Sequence, residues 1–230
     1  MIYLDTVDST NTYLKKLADD GAPDRTAVVS AMQTKGRGRM ARSFYSPSES
    51  GLYMSVLLRA AAPETDITTM AAVAVCRALE QQFDTKAEIK WVNDIFINHK
   101  KVCGILTEGV SCGREFYAVL GIGINVFEPE GGFPEDIKQI AGSVCSLTPD
   151  KELIKQLANT ILTEFFKIYE NKNYVEEYRR RCFVIGKTVI LPDGEKGTAV
   201  DVDDNINLIV KLSNNKIIKI KTGEIKLNYE

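Results

Sequence analysis

Residues 88–106 read EIKWVNDIFINHKKVCGIL. Two short apolar runs, Glu88–Val92 and Ile95–Ile97, are followed by the start of a longer one, Val102–Val110, with polar breaks between them. Such runs are strand-like, and NHKK at 98–101 reads as the turn of a hairpin. A further run, Phe116–Ile124, extends the pattern, so the middle of the chain predicts sheet. Toward the N-terminus, Ile67–Phe83 is Ala-rich, mostly apolar and predicted to be a well-buried helix. Leu52–Leu58, Thr26–Met32 and Ile2–Leu4 read as strands. Ser9 or Thr10 can cap a helix with an apolar face of Tyr13, Leu14, Leu17 and Ala18, ended by Gly21. Gln33–Pro47 is rich in Gly, Arg and Ser and reads as a long loop, the kind that often carries function.

Toward the C-terminus, residues 127–148 read as an excursion, and Lys151–Tyr169 and Tyr174–Arg181 as helices. After Cys182 the character changes. VIGKTVIL, GTAVDVD, INLIVKL and KIIKIK are short β runs separated by PDG and SNN. They predict a small SH3-like β-barrel of about five strands. The expected fold class is therefore α+β. A mixed sheet packed with helices fills residues 1–181, and the barrel fills residues 182–230, with the boundary near 182.

The chain has 230 residues, enough for one sizeable core with a small satellite. A formal net charge of −2 argues against life on nucleic acid. No apolar run is long enough to span a bilayer. The opening MIYLDTVDST lacks the layout of a signal peptide. The cysteines, at 76, 103, 112, 145 and 182, are odd in number and widely spaced, which fits reduced thiols in the cytoplasm. The single histidine, His99, reads as a solvated turn residue, so a conventional Ser–His–Asp triad is not expected.

Four segments carry candidate chemistry. Gln33-Thr34-Lys35-Gly36-Arg37-Gly38-Arg39-Met40-Ala41-Arg42 holds four cations and no acid. Guanidinium forks and backbone N–H groups there suit carboxylate or phosphate oxygens, although a solvated basic loop has the same composition. Lys90-Trp91-Val92-Asn93-Asp94 puts an amide and a carboxylate side by side at a strand end, suited to a hydrated Mg²⁺ or a nucleotide hydroxyl, or simply to capping a turn. In Lys101-Val102-Cys103-Gly104-Ile105-Leu106, a lysine opens an apolar strand and Gly104 leaves room for a ligand against the backbone. Gly121-Ile122-Gly123-Ile124-Asn125-Val126 ends a strand on a polar amide.

In order and spacing, Ser9-Thr10-Asn11, GRGRxxR, KWxND, KxxGIL and GIGIN resemble the biotin–protein ligases across nearly all of residues 1–181. Thr222-Gly223-Glu224-Ile225 looks like that family's closing strand. Ala41 and Val92 stand where the family usually has Gly and Pro. The resemblance implies that biotin and Mg·ATP are converted to biotinyl-5′-AMP and that a carrier lysine attacks the mixed anhydride. Ser9, Thr10 and Gln33 are then expected at the biotin ureido end. Gly36, Arg37 and Arg39 are expected over the carboxylate and phosphate, and Arg42 toward the triphosphate. Phe44 takes the place of an aromatic that packs on adenine. Asn93 and Asp94 serve Mg²⁺-bound phosphates, and Asp94 also orients the incoming lysine. Lys101 bridges the biotin carboxylate and the α-phosphate. Gly104 and Gly123 line the biotin slot, and Asn125 contacts the nucleotide.

The resemblance also implies the partner, the biotin carrier domain of a carboxylase or decarboxylase. It leaves the oligomeric state open, a homodimer included. Lipoate and octanoate ligases share such a fold, but their RRxxGGGxVxHD-like segment is missing here. DNA binding is not expected, because the catalytic strand begins at Ile2 and leaves no room for a helix-turn-helix. A non-catalytic binding module would not need both Lys101 and the full Arg loop.

Overall fold

The computed structural model describes residues 1–60, 66–112 and 115–227, without the side chains of 60, 112 and 115. In chain order, the first part runs β1 (Ile2–Val7), α1 (Thr10–Asp19), β2 (Ala27–Gln33), β3 (Gly51–Ala60) and α2 (Ile67–Phe83). It continues with β4 (Glu88–Lys90), β5 (Asp94–Ile97), β6 (Lys100–Cys112), β7 (Glu115–Asn125), α3 (Lys151–Asn171) and α4 (Val175–Arg181). The strands form one seven-stranded sheet in the order β1-β2-β3-β7-β6-β5-β4. The β1–β2 pair is parallel and every other pair antiparallel, so the sheet is mixed, as expected.

The two-residue period of strands decides what each face does. In β3, Leu52, Met54, Val56 and Leu58 enter the main core beneath α2 and α3, while Leu57 joins a second cluster under α1 with Leu14, Ala18, Val28, Tyr117 and Val119. The same alternation in β7 turns Ala118, Leu120, Ile122 and Ile124 inward and puts Gly121 and Gly123 on the α1 face. The apolar, Ala-rich character of α2 is explained by its burial: eleven of its residues are buried.

The hairpin turn is tighter than the four residues NHKK. Only Asn98 and His99 turn, with φ of 49° and 63°, as a two-residue primed turn requires. Lys100 and Lys101 already belong to β6, and this places Lys101 in the sheet. The strand expected over Glu88–Val92 stops at Lys90, and the Trp91–Val92 peptide is cis.

The C-terminal strands are β8 (Thr188–Ile190), β9 (Lys196–Val202), β10 (Leu208–Leu212), β11 (Ile217–Ile220) and β12 (Lys226–Leu227). They form an antiparallel sheet in the order β11-β10-β9-β8-β12. Among the described residues no pairing of the end strands β11 and β12 is seen. Its apolar face continues the main core through Val189, Ala199, Val202, Leu208 and Ile225. Trp91 Nε1 donates to Ile206 O at 2.9 Å, and Arg179 Nε donates to Val202 O at 2.6 Å.

Candidate active site

α1 covers only part of its face of the sheet. Asn11 of α1 lies on Gly121; beyond the helix N-terminus Gly104 and Gly123 put no side chain over the strands, and the loop after β2 roofs the gap. The resulting cleft, about 890 Å³ with its open mouth, is lined by Ser9, Thr10, Gln33, Arg37, Arg39, Arg42, Phe44, Asn93, Asp94, Lys101, Gly104 and Gly123 among others. Twelve expected site residues, far apart in the chain, thus come together. Gly36 and Asn125 are not among the lining residues.

One end of the cleft is polar and neutral. Ser9, Thr10 and Asn11 are buried, and Ser9 is the N-cap of α1, although its side chain makes no cap bond. Thr10 donates through its backbone N–H (2.9 Å) and its hydroxyl (3.1 Å) to Gln33 Oε1. Ser55, fully buried on β3, donates to Thr10 Oγ1 at 2.8 Å and to Asn11 Oδ1 at 2.6 Å. Asn11 in turn donates to Glu108 Oε2 at 2.9 Å. Glu108 also pairs with Lys15 at 2.8 Å and Arg37 at 2.9 Å. Burial opposes its ionisation, but hydrogen bonds from Lys15 and Asn11 hold its carboxyl below the usual range. Ser55 and Glu108 carry no motif signature. They become visible only when β3, β6 and α1 are brought together.

The middle of the cleft is bare sheet under an aromatic lid. A Cβ at Gly123 would lie 2.7 Å from Phe44 Cε1, and one at Gly104 would lie 3.3 Å from Phe44 Cε2, so the ring rests on both glycines. Phe44 therefore lies over the slot expected for biotin.

The other end is charged. Lys101 Nζ lies 2.7 Å from Asp94 Oδ1. Asn93 donates to Asp94 Oδ1 (3.0 Å) and Ile105 O (3.1 Å), and accepts from Arg39 Nη1 at 2.8 Å. Arg42 makes a two-pronged pair with Glu224 at 2.8 and 2.6 Å, which keeps its guanidinium charged and holds the Glu224 carboxyl down. The TGEI segment is thus not itself a strand but the approach to β12, and it brings Gly223 and Glu224 to the cleft mouth. Lys90, unassigned in the sequence reading, also lines this end, and burial lowers the pKa of its ammonium.

The roof is a narrow turn. Arg37 bridges to Ser43, and residues Arg39–Ala41 form a 3₁₀ turn. Met40 and Ala41 have φ of 54° and 59°. Ala41 thus sits where the family's usual glycine would be relaxed, at a cost of about 1 kcal/mol. The Asn125 side chain turns away from the cleft and donates to Gly142 O at 3.2 Å. Gly36 lies behind the roof, where its carbonyl accepts from Phe44 N at 2.9 Å.

Residues 3–125 match the Biotin/lipoate A/B protein ligase family, just over half of the chain. The bifunctional ligase/repressor BirA of Bacillus subtilis is 35% identical over 99% of this chain and 74% of its own length. The biotin–[acetyl-CoA-carboxylase] ligase of Mycobacterium tuberculosis is 27% identical over 94% of this chain and 85% of its own. The structure of Aquifex aeolicus biotin protein ligase in complex with biotin and ATP superposes with a TM-score of 0.80 at 29% identity, covering 99% of this chain and 97% of that one. With the cleft assembled from the motifs of that family, and with the match extending along the chain, this protein belongs to the Biotin/lipoate A/B protein ligase family.

Proposed function

We propose that the cleft activates biotin with ATP and passes it to a lysine of a biotin carrier domain. The observation that carries this reading is the polarity gradient of one continuous cleft. Neutral hydroxyl and amide groups of Ser9, Thr10 and Gln33 stand at one end, two glycines beneath Phe44 in the middle, and Lys101 with Arg39 and Arg42 at the other. The neutral end suits a urea and the glycine floor a flat apolar body. The cationic end suits a carboxylate beside a phosphate chain.

In this mechanism the biotin carboxylate oxygen attacks the α-phosphorus and pyrophosphate departs. Lys101 Nζ would meet the negative charge as it develops, with Arg39 beside it and Arg37 joining after turning away from Glu108. Such a preorganised cation contributes most when charge forms in a site shielded from water. The carrier amine then attacks the mixed anhydride and AMP leaves. Asp94, already aimed at Lys101, is placed to orient that amine. Among the described residues no cluster of three or more His, Cys, Asp or Glu side chains could cage a metal. One carboxylate with one amide instead fits Mg²⁺ carried in on phosphates, and Asp94 and Asn93 would hold it there. Bound Mg²⁺ would supply charge neutralisation on the phosphates. Arg42, Phe44 and Asn125 would serve the nucleotide after side-chain turns away from Glu224, the glycine floor and Gly142. The reading carries with it the cytoplasmic setting expected from the cysteines.

The test is mass spectrometry of a biotin carrier domain after incubation with the protein, biotin and Mg·ATP. One lysine should gain biotin while AMP and pyrophosphate accumulate. If AMP never appears with biotin and carrier present, the reading is wrong. Lipoate in place of biotin should give no product. With a net charge of −2, no sequence-specific duplex binding is expected at physiological salt, with or without biotin. A footprint at a defined DNA site would contradict this.

A further inference from the structure

The registers of five strands align into one row. Tyr53 of β3 pairs with Gly123 of β7, Gly123 with Gly104 of β6, Gly104 with Asp94 of β5, and Asp94 with Lys90 of β4. Directly paired residues share a face of the sheet. From Gly123 onward the row runs along the cleft floor, from glycine to a carboxylate and then to a lysine at the sheet edge. At about 4.8 Å per strand, Lys90 lies roughly 14 Å from Gly123.

Lys90 differs from the other cations that line the cleft. Lys101 pairs with Asp94, Arg37 with Glu108 and Arg42 with Glu224, and Arg39 donates to Asn93. Among the described residues, the half-buried Lys90 ammonium has no hydrogen bond or ion pair. Its surroundings hold Asp94 and Glu224 but also Lys101 and Arg42. A partly desolvated ammonium beside other cations favours an arriving polyanion.

We propose that Lys90 is a binding residue for the β,γ-diphosphate of the nucleotide, the group that departs as pyrophosphate. The assignment rests on the adenylation reading above. In that step a carboxylate oxygen forms a bond to the α-phosphorus. The bond from the α-phosphorus to the bridging oxygen breaks, and its electron pair leaves on pyrophosphate without any proton moving. Lys101 serves the reacting end of this line. Lys90, further along the same row and beside the cleft mouth, meets the leaving group.

The experiment measures pyrophosphate release by parent, Lys90→Met and Lys90→Arg against varied ATP and varied biotin. Lys90→Met should raise the KM for Mg·ATP at least about tenfold, the scale of one lost charge-assisted hydrogen bond, and should weaken product inhibition by pyrophosphate. Its KM for biotin, and its transfer from supplied biotinyl-AMP, should move far less. Lys90→Arg, which keeps the charge, should recover most of the ATP affinity. A Lys90→Met variant with the parent's KM for ATP and the parent's inhibition by pyrophosphate overturns the assignment, as does equal damage to the biotin and ATP constants. A parent that releases no pyrophosphate from biotin and ATP defeats the adenylation reading instead. Limited acetylation of the parent protein supplies a measurement that needs no variant. Inorganic pyrophosphate should protect Lys90 from acetylation while leaving the exposed Lys86 reactive. Equal labelling of Lys90 with and without pyrophosphate overturns the assignment.

Discussion

Lys101→Ala is expected to lose at least about 10²-fold in the rate of pyrophosphate release, the scale seen when one preorganised charge-stabilising group is removed from an active site. The tight turn at Asn98–His99 puts Lys101 inside β6, and its amine reaches across to Asp94 at 2.7 Å. Backbone bonds clamp it further. Lys101 N donates to Ile140 O at 2.8 Å, and Lys101 O accepts from Gly142 N at 3.0 Å. The excursion at 127–148 thus holds the lysine from behind and reduces the reorganisation needed as charge develops. Truncation also leaves the Asp94 carboxylate without its ammonium, which makes the cleft less welcoming to phosphate. Transfer from supplied biotinyl-AMP should suffer less, because the α-phosphoryl chemistry is then complete. Equal pyrophosphate release by variant and parent would remove Lys101 from its role.

Arg39→Gly is expected to release biotinyl-AMP early, so that bystander proteins gain biotin at random lysines. The roof carries four like charges, and its one apolar side chain, Met40, is exposed. Its tethers are partly exposed pairs, Arg37 with Glu108 and Arg42 with Glu224. Pairs of that kind contribute about 0–1 kcal/mol each, whereas ordering a residue costs about 1–2 kcal/mol. The roof is therefore expected to be mobile in the ligand-free protein and to order around the adenylate, whose charge supplies the missing partner. Arg39 reaches Asn93 at 2.8 Å and so ties the roof to the turn before β5. Without it the lid opens more often, which acts mainly on the off-rate. The measurement is the dissociation rate of biotinyl-AMP, paired with a blot for biotin on added bystander protein. A variant that holds the adenylate as long as the parent does would make Arg39 a surface charge.

Most of the secondary elements, and twelve of the residues that line the cleft, could be read from the sequence alone. Its alternating runs and turn signals mark strand or helix locally, because side-chain period and backbone preference act over a few residues. Lys101, Asp94, Arg37 and Arg39 were legible because each stands in a dense motif. Tertiary structure decided what depends on long-range pairing. It set Lys90, Asp94, Gly104 and Gly123 in one row, which follows from strand register and not from spacing along the chain. It brought Glu224 to Arg42 across 182 positions, a contact that closes only when the C-terminal sheet docks on the main core. It turned Asn125 toward Gly142, because the excursion after β7 returns to the strand end and brings that carbonyl beside it.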